Sequence, residues 1–240
     1  MPDSPDVAGD WTPATRDRLV GLPVDVAPML LGALLETTVD GERVVVRLTE
    51  VEAYHGLGTG DVPDPGSHAR MGPTPRNATM WGEPGHLYVY LSHGIHSCVN
   101  VVCGTDGTAG GVLLRAGEVI GGADVARRRR AARGASGVIA SRDLARGPGR
   151  VGSAVGLRHP MHDGIDAVTG EVLTGASARL LLAVTLPPAI ASGPRVGVAG
   201  VAGTDAFPWR FWISGDPTVS AFRWGRGAGP VKATRPGVLD

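Results

Sequence analysis

Glu50, Glu52 and Tyr54 alternate in the stretch TEVEAY, and Tyr88 and Tyr90 alternate in HLYVYL. On a strand, residues two apart share a face, so each stretch would present these side chains together on one side. Tyr54, Tyr88 and Tyr90 are the only three tyrosines, and five of the seven histidines (His55, His68, His86, His93 and His96) fall in the same region. Brought together, the two faces form an aromatic-walled pocket with a carboxylate in its floor. A carboxylate so placed can serve as a general base or a metal ligand. His93-x2-His96 has a spacing that metal sites use, but no His or Cys cluster adjoins it. Arg115 interrupts the apolar run VLLRA; a guanidinium is costly to bury alone, so it should pair with a carboxylate.

Around these residues the sequence predicts a frame. VDVAPMLLGALLETT, from Val24, has apolar residues at helical spacing and fades before Asp40-Gly41, a turn signal. VVVRLTEVEAY then alternates as a strand ending near Tyr54. Residues 55–85, crowded with Gly, Pro, Asp, Ser and Asn, predict a long irregular loop. HLYVYL and GGVLLRAGEV read as strands; an arginine-rich helix and the GPGRVGSAVGL segment follow, with late strands around RLLLAVTL, RVGVAG and PWRFWI. Strands joined by irregular loops, without βα alternation, predict an α+β domain on an antiparallel sheet.

A chain of 240 residues with 42% apolar content can bury one sizeable core. The expected organisation is a flexible tail over residues 1–12 and a single domain over 13–240. The tail has acids and proline but neither a basic start nor an apolar stretch, unlike a signal peptide. No run approaches the roughly 18 apolar residues of a spanning helix, so the expectation is a cytoplasmic protein. Cys98 and Cys103 are too few for a disulfide framework and are expected as reduced thiols, at least one of them in the core.

Basic and acidic residues number 23 each, so the whole molecule exerts no long-range pull on a polyanion. Between 127 and 150, however, eight arginines face the single acid Asp143. Such a run is either a solvated helix face or an anion-binding surface.

TEVEAY, SHARMGPTPRN (Ser67 to Asn77), MWGEPGHLYVYLSHGIHSCVN, GGVLLRA, GPGRVGSAVGL and PWRFWISGDPTVS occur in the order in which alkyladenine (3-methyladenine) DNA glycosylases carry their motifs. Over about residues 20–220 the chain resembles that family. The resemblance implies a single α+β domain with a curved antiparallel sheet flanked by helices. It implies a monomeric, monofunctional enzyme of base excision repair that needs no cofactor or metal. Its partner would be double-stranded DNA containing damaged purines. Alkylated, and possibly deaminated, purines would be flipped out of the duplex and excised hydrolytically, leaving an abasic site. The chain's one lysine, Lys232, lies outside these motifs, in keeping with hydrolysis without strand cleavage.

By the same resemblance Glu52 is the general base and Arg115 helps hold the attacking water. Tyr54 and Tyr90 stack on the flipped base, His68 contacts it, and Asn100 crowds the groove edge of normal guanine. Tyr88 is a supporting wall. His93 stands where many relatives have a tyrosine that wedges into the duplex. Arg127, Arg128 and Arg130 are the expected phosphate contacts, drawn from the arginine run. The physics agrees: extrusion costs a few kcal/mol, stacking on an aromatic ring returns about 1–3 kcal/mol, and electron-rich rings attract a cationic purine. The loop between Tyr54 and His68 is several residues longer than is usual in the family. Two other readings stay open. One is a metal-dependent hydrolase using Glu50, Glu52, His68 and His93; the other is a damage-binding protein without catalysis, against which the presence of Glu52 and Arg115 speaks.

Overall fold

The computed structural model describes residues 10–135 and 137–230. The chain runs through β1 (Trp11–Pro13), α1 (Arg16–Leu19), α2 (Pro23–Met29), β2 (Leu34–Val39), β3 (Glu42–His55), β4 (His86–Ser92), β5 (His96–Val102) and β6 (Gly110–Gly121). It continues with α3 (Ala123–Ala131), β7 (Ala145–Arg146), α4 (Pro148–Val155), β8 (Ile165–Asp166), β9 (Ala176–Ala183), β10 (Ile190–Gly193) and β11 (Arg210–Ile213). All pairings are antiparallel, in the order β1-β9-β2-β3-β6-β5-β4-β8, with β11 also on β3, β10 on β11 and β7 on β6. This is the α+β class that the pattern of strands and loops predicts.

β3 is the spine. Its first half pairs with β2 on one side and its second half with β11, while β6 follows nearly its whole length on the other. The β3–β6 ladder shifts register on both sides of Glu50, and such irregularities bend and twist a sheet. β6 yields to this bend through Gly117, where a Cβ would lie 2.4 Å from Val46 Cγ1 and 2.6 Å from the Arg47 carbonyl oxygen. In a flat sheet β3 and β4, three strand steps apart, would be separated by about 14 Å. Curling brings Tyr54 and Tyr90 to one cavity instead.

Two predicted elements differ in the structure. The helix from Val24 stops at Met29, and LLETTV is β2. Gly32 takes the left-handed φ of 80° and donates its N–H to the Leu48 carbonyl at 2.8 Å, which turns the chain onto β3. Asp40 and Gly41, both at positive φ, then form the two-residue turn between β2 and β3. RVGVAG is a loop, not a strand. Of the expected tail, residues 1–9 lie outside the described residues, whereas Trp11 to Pro13 pair with β9, so the sheet already begins within that segment.

The main core lies between the sheet and the helices, with Leu48, Val51, Val99, Val112 and Leu114 against Val151, Ala154 and Val155 of α4. α4 reaches β5 through Gly152, where a Cβ would fall 2.0 Å from the Ser97 carbonyl oxygen. Gly152→Ala is therefore expected to destabilise the fold by about 1–3 kcal/mol, even though alanine favours a helix by about 1 kcal/mol. Urea unfolding measures this; unchanged or increased stability would mean that α4 moves off β5 without cost.

Candidate active site

Glu50 and Glu52 are both fully buried and both reach Arg115, which lies between them. Arg115 Nε is 3.1 Å from Glu50 Oε1 and its Nη1 is 3.5 Å from Glu52 Oε1. Beyond this shared cation the two carboxylates differ. Glu50 accepts from Arg210 Nε at 2.6 Å, Ser220 N at 2.7 Å and Ser220 Oγ at 3.0 Å, so its oxygens are committed to holding β11 and the chain after it. Glu52 accepts the Val196 N–H at 2.7 Å on Oε1 and the Tyr54 hydroxyl at 2.9 Å on Oε2. Tyr54 also faces a cavity of about 380 Å³. Burial, with the Glu52 charge adding, pushes the Tyr54 phenol well above its ordinary value, so it remains a donor to Glu52.

Tyr54, His68, Tyr88, Tyr90 and Asn100 line that cavity, along with Val198 of the RVGVAG loop. A few hundred cubic ångströms is the ordinary size of a small-molecule site. Neither Glu52 nor Arg115 lines it; they sit beneath, reached through Tyr54. Tyr88 and Tyr90 stack at 5.3 Å with planes 19° apart, and His68 meets Tyr90 edge-on at 4.6 Å. Burial pushes the Tyr88 phenol up to about 12, and its hydroxyl lies 3.3 Å from His68 Nδ1. Partial burial, helped by Arg76 and Arg70, lowers the His68 pKa and favours the neutral ring. Asn100 donates to the Tyr88 carbonyl at 3.0 Å, which fixes its amide at the cavity edge. Asn77 ties the loop behind His68 by donating to the His68 and Gly72 carbonyls.

The remaining predicted residues lie elsewhere. His93 is exposed at the tip of the β4–β5 hairpin, with φ 51°, followed by Gly94 at φ 70° and closed by Ile95 N–H to the Ser92 carbonyl. Arg127 pairs with Asp124 at 2.8 Å, Arg128 pairs with Glu42, and Arg130 donates to the Asp143 and Leu144 carbonyls. The donors considered for a metal do not converge: His93 is at the hairpin tip, His68 on the tyrosines, and Glu50 and Glu52 on Arg115. Among the described residues no three His, Cys, Asp or Glu side chains could hold a metal ion together.

Arg195 and Asp64, which sequence reasoning did not single out, complete the arrangement. They form a fully buried bidentate pair with both contacts at 2.7 Å, and the guanidinium lies 4.5 Å from the Tyr54 ring centre. Asp64 also accepts from the His55 and Gly66 N–H groups, so this pair anchors the long loop to the strand that carries Tyr54. The available signal was the one that marked Arg115: an arginine among apolar residues, here in RVGVAG.

The curled antiparallel sheet of this α+β domain thus sets aromatic rings around a cavity, above a buried carboxylate–guanidinium pair. Residues 19–217 match the model of the methylpurine-DNA glycosylase (MPG) family, and the chain belongs to that family. A protein of Leifsonia xyli subsp. xyli is 48% identical over 211 residues, 87% of this chain and 92% of its own length. One of Streptomyces avermitilis is 47% identical over 218 residues (90% and 94%), and one of Nocardia farcinica 49% over 223 residues (91% and 97%). Each is named "Putative 3-methyladenine DNA glycosylase". The protein is thus a DNA glycosylase, a hydrolase acting on N-glycosyl bonds. Among the described residues no helix is long and apolar enough to cross a membrane.

At the edge of the site, His55 stacks on Trp209 at 4.4 Å, and neither of its buried ring nitrogens has a hydrogen-bond partner. Burial lowers its pKa. The folded state therefore binds this proton less readily than the unfolded chain does. The resulting contribution is present above the unfolded value of about 6.5 and is lost as pH falls through the lower folded value. Thermal midpoints should drop between pH 7 and 5.5, and His55→Phe should flatten that drop. An identical profile for this variant would assign the pH dependence to other groups.

Proposed function

We propose that the protein extrudes an alkylated purine from duplex DNA into the tyrosine-lined cavity and hydrolyses its N-glycosyl bond. What supports this is the position of Glu52, held by Val196 N–H and Tyr54 beneath a cavity walled by Tyr54, Tyr90 and His68. Tyr54 and Tyr90 stack on the purine; Asn100, fixed at the rim, excludes the 2-amino group of normal guanine. Glu52 takes a proton from a water whose oxygen bonds to C1′. The N-glycosyl bond breaks and its electron pair passes to the purine, which leaves neutral if it entered as a cation. Arg115, whose Nη1 lies 3.5 Å from Glu52 Oε1, offsets the buried carboxylate and helps orient the water. A deaminated purine carries no such charge and would leave more slowly. The product is an abasic site in an uncut strand, and the enzyme works as a monomer without cofactor.

Glu52→Gln should lower single-turnover release of 3-methyladenine about 10²–10⁴-fold while duplex binding persists. Glu50→Gln should act on stability instead, because it leaves Arg210 and Arg115 short of a buried counter-charge, at a cost of about 3–5 kcal/mol. A folded Glu50→Gln protein with the larger catalytic loss would reverse the two roles. Absence of abasic sites with every lesion duplex tested would sink the proposal.

His93, at the tip of the hairpin that carries Tyr88 and Tyr90, fills the gap left by the extruded nucleotide. In a Glu52→Gln background, His93→Ala should weaken binding to a lesion duplex, and His93→Tyr should bind at least as tightly as the parent. Equal affinity for the alanine variant would remove His93 from this role.

A further inference from the structure

We infer that the cleft between the β4–β5 hairpin and the start of α4 grips backbone phosphates beside the lesion through Arg133, Arg150 and Arg223. The inference rests on the proposed function and names the part of the protein that holds the strand. The cleft, about 530 Å³, is lined by Arg130, Arg133, Arg150 and Arg223 together with His93 and His96, and no carboxylate lines it. Arg133 and Arg223 have no ion-pair partner among the described residues. Arg150 reaches only Asp143, at 3.9 Å, and Arg142 and Arg146 share that carboxylate. Exposed guanidiniums gathered without counter-charge repel one another, and a polyanion relieves that repulsion.

The register of the hairpin ties the cleft to the cavity. Tyr88 pairs with Asn100, Tyr90 with Cys98 and Ser92 with His96, so all six side chains share one face. Tyr88, Tyr90 and Asn100 line the cavity, whereas Ser92, His96 and Cys98 line the cleft. Tyr90 and Ser92 are about 7 Å apart along the strand. A nucleotide seated in the cavity therefore has its neighbouring phosphates within reach of the cleft.

The expected contacts Arg127 and Arg128 are absent from this lining: they are paired with Asp124 and Glu42. Of the three arginines first expected to track phosphates, only Arg130 faces the cleft. Arg223 lies beyond the residues matched by the family model, in the stretch SAFRWGRG that follows them. Its carbonyl accepts the Gly197 N–H at 2.9 Å. Gly197 lies between Val196, whose N–H holds Glu52, and Val198, which lines the cavity. One segment thus joins the grip on the strand to the loop that orients the base.

The test is equilibrium binding to an undamaged duplex over a range of salt, with Arg133→Gln, Arg150→Gln and Arg223→Gln beside Arg127→Gln and Arg128→Gln. Each of the first three should reduce the log–log salt slope by about 0.9 and weaken binding at low salt. The last two should leave the slope as it is. Thermal midpoints identify any variant whose fold has changed, and exposure of these side chains predicts little shift. Unchanged slopes for the first three, or equal reductions for Arg127→Gln and Arg128→Gln, would overturn the inference. So would Arg223-dependent binding of inorganic phosphate at matched ionic strength with no effect of Arg223→Gln on the duplex, because the cleft would then be a site for a free anion. Abasic-site formation by the unsubstituted protein is scored separately, so failure of the proposed chemistry and failure of this cleft are distinguishable.

Discussion

The site depends on six charges that the sheet takes out of water. Glu50, Glu52 and Asp64 are buried with Arg115, Arg195 and Arg210, three of each sign. No one of them could be buried alone without a penalty of several kcal/mol, so each demands partners in fixed positions. Those partners come from far along the chain: Ser220 and Arg210 for Glu50, Val196 for Glu52, Arg195 for Asp64. The irregular loops of the second half therefore have a defined place, because the charges on β3, β6 and the long loop can be satisfied only there.

Within that network two residues of the same type, two positions apart, acquire different chemistry. Four donors surround Glu50, two of them guanidiniums, so it acts as a counter-ion that secures β11. Glu52 has a backbone N–H and a longer contact to Arg115 on one oxygen, and only the hydroxyl of a cavity wall on the other. A general base must be ionised, yet must keep a lone pair that is not tied up by a structural cation. Under the proposed function that asymmetry suits Glu52 rather than Glu50 to the role of base.

Much of this was legible in the sequence where a single pattern ruled. Alternation in TEVEAY and HLYVYL predicts strands with like side chains on one face, and β3 and β4 follow it. Arg115 in an apolar run demands a carboxylate and meets two. Where two patterns overlapped, reading failed. Leu34 and Leu35 fit the helical spacing begun at Val24, but Gly32 ends it, and Thr37, Thr38 and Val39 before Asp40-Gly41 carry the signature of a hairpin. RVGVAG alternates like a strand, yet Arg195 is used by Asp64 on a loop. The arginine run was legible as charge, but no local pattern reveals which arginines are neutralised, since Glu42, the partner of Arg128, is 86 residues away.

The long loop shows how a segment without regular structure can hold a site residue in place. Lengthening a loop costs little, since closure entropy grows only with the logarithm of length. What positions the residues after it is where the loop is tied. Asp64, joined to Arg195 and to the His55 N–H, returns the chain to the end of β3 after residues 57–63. Asn77 then holds the turn behind His68 through its carbonyl. Leu57 to Pro63, most of it exposed, lies before the first of these anchors. His68 consequently reaches the tyrosines because its position is set by two buried polar side chains, Asp64 and Asn77, and not by the number of residues that precede it.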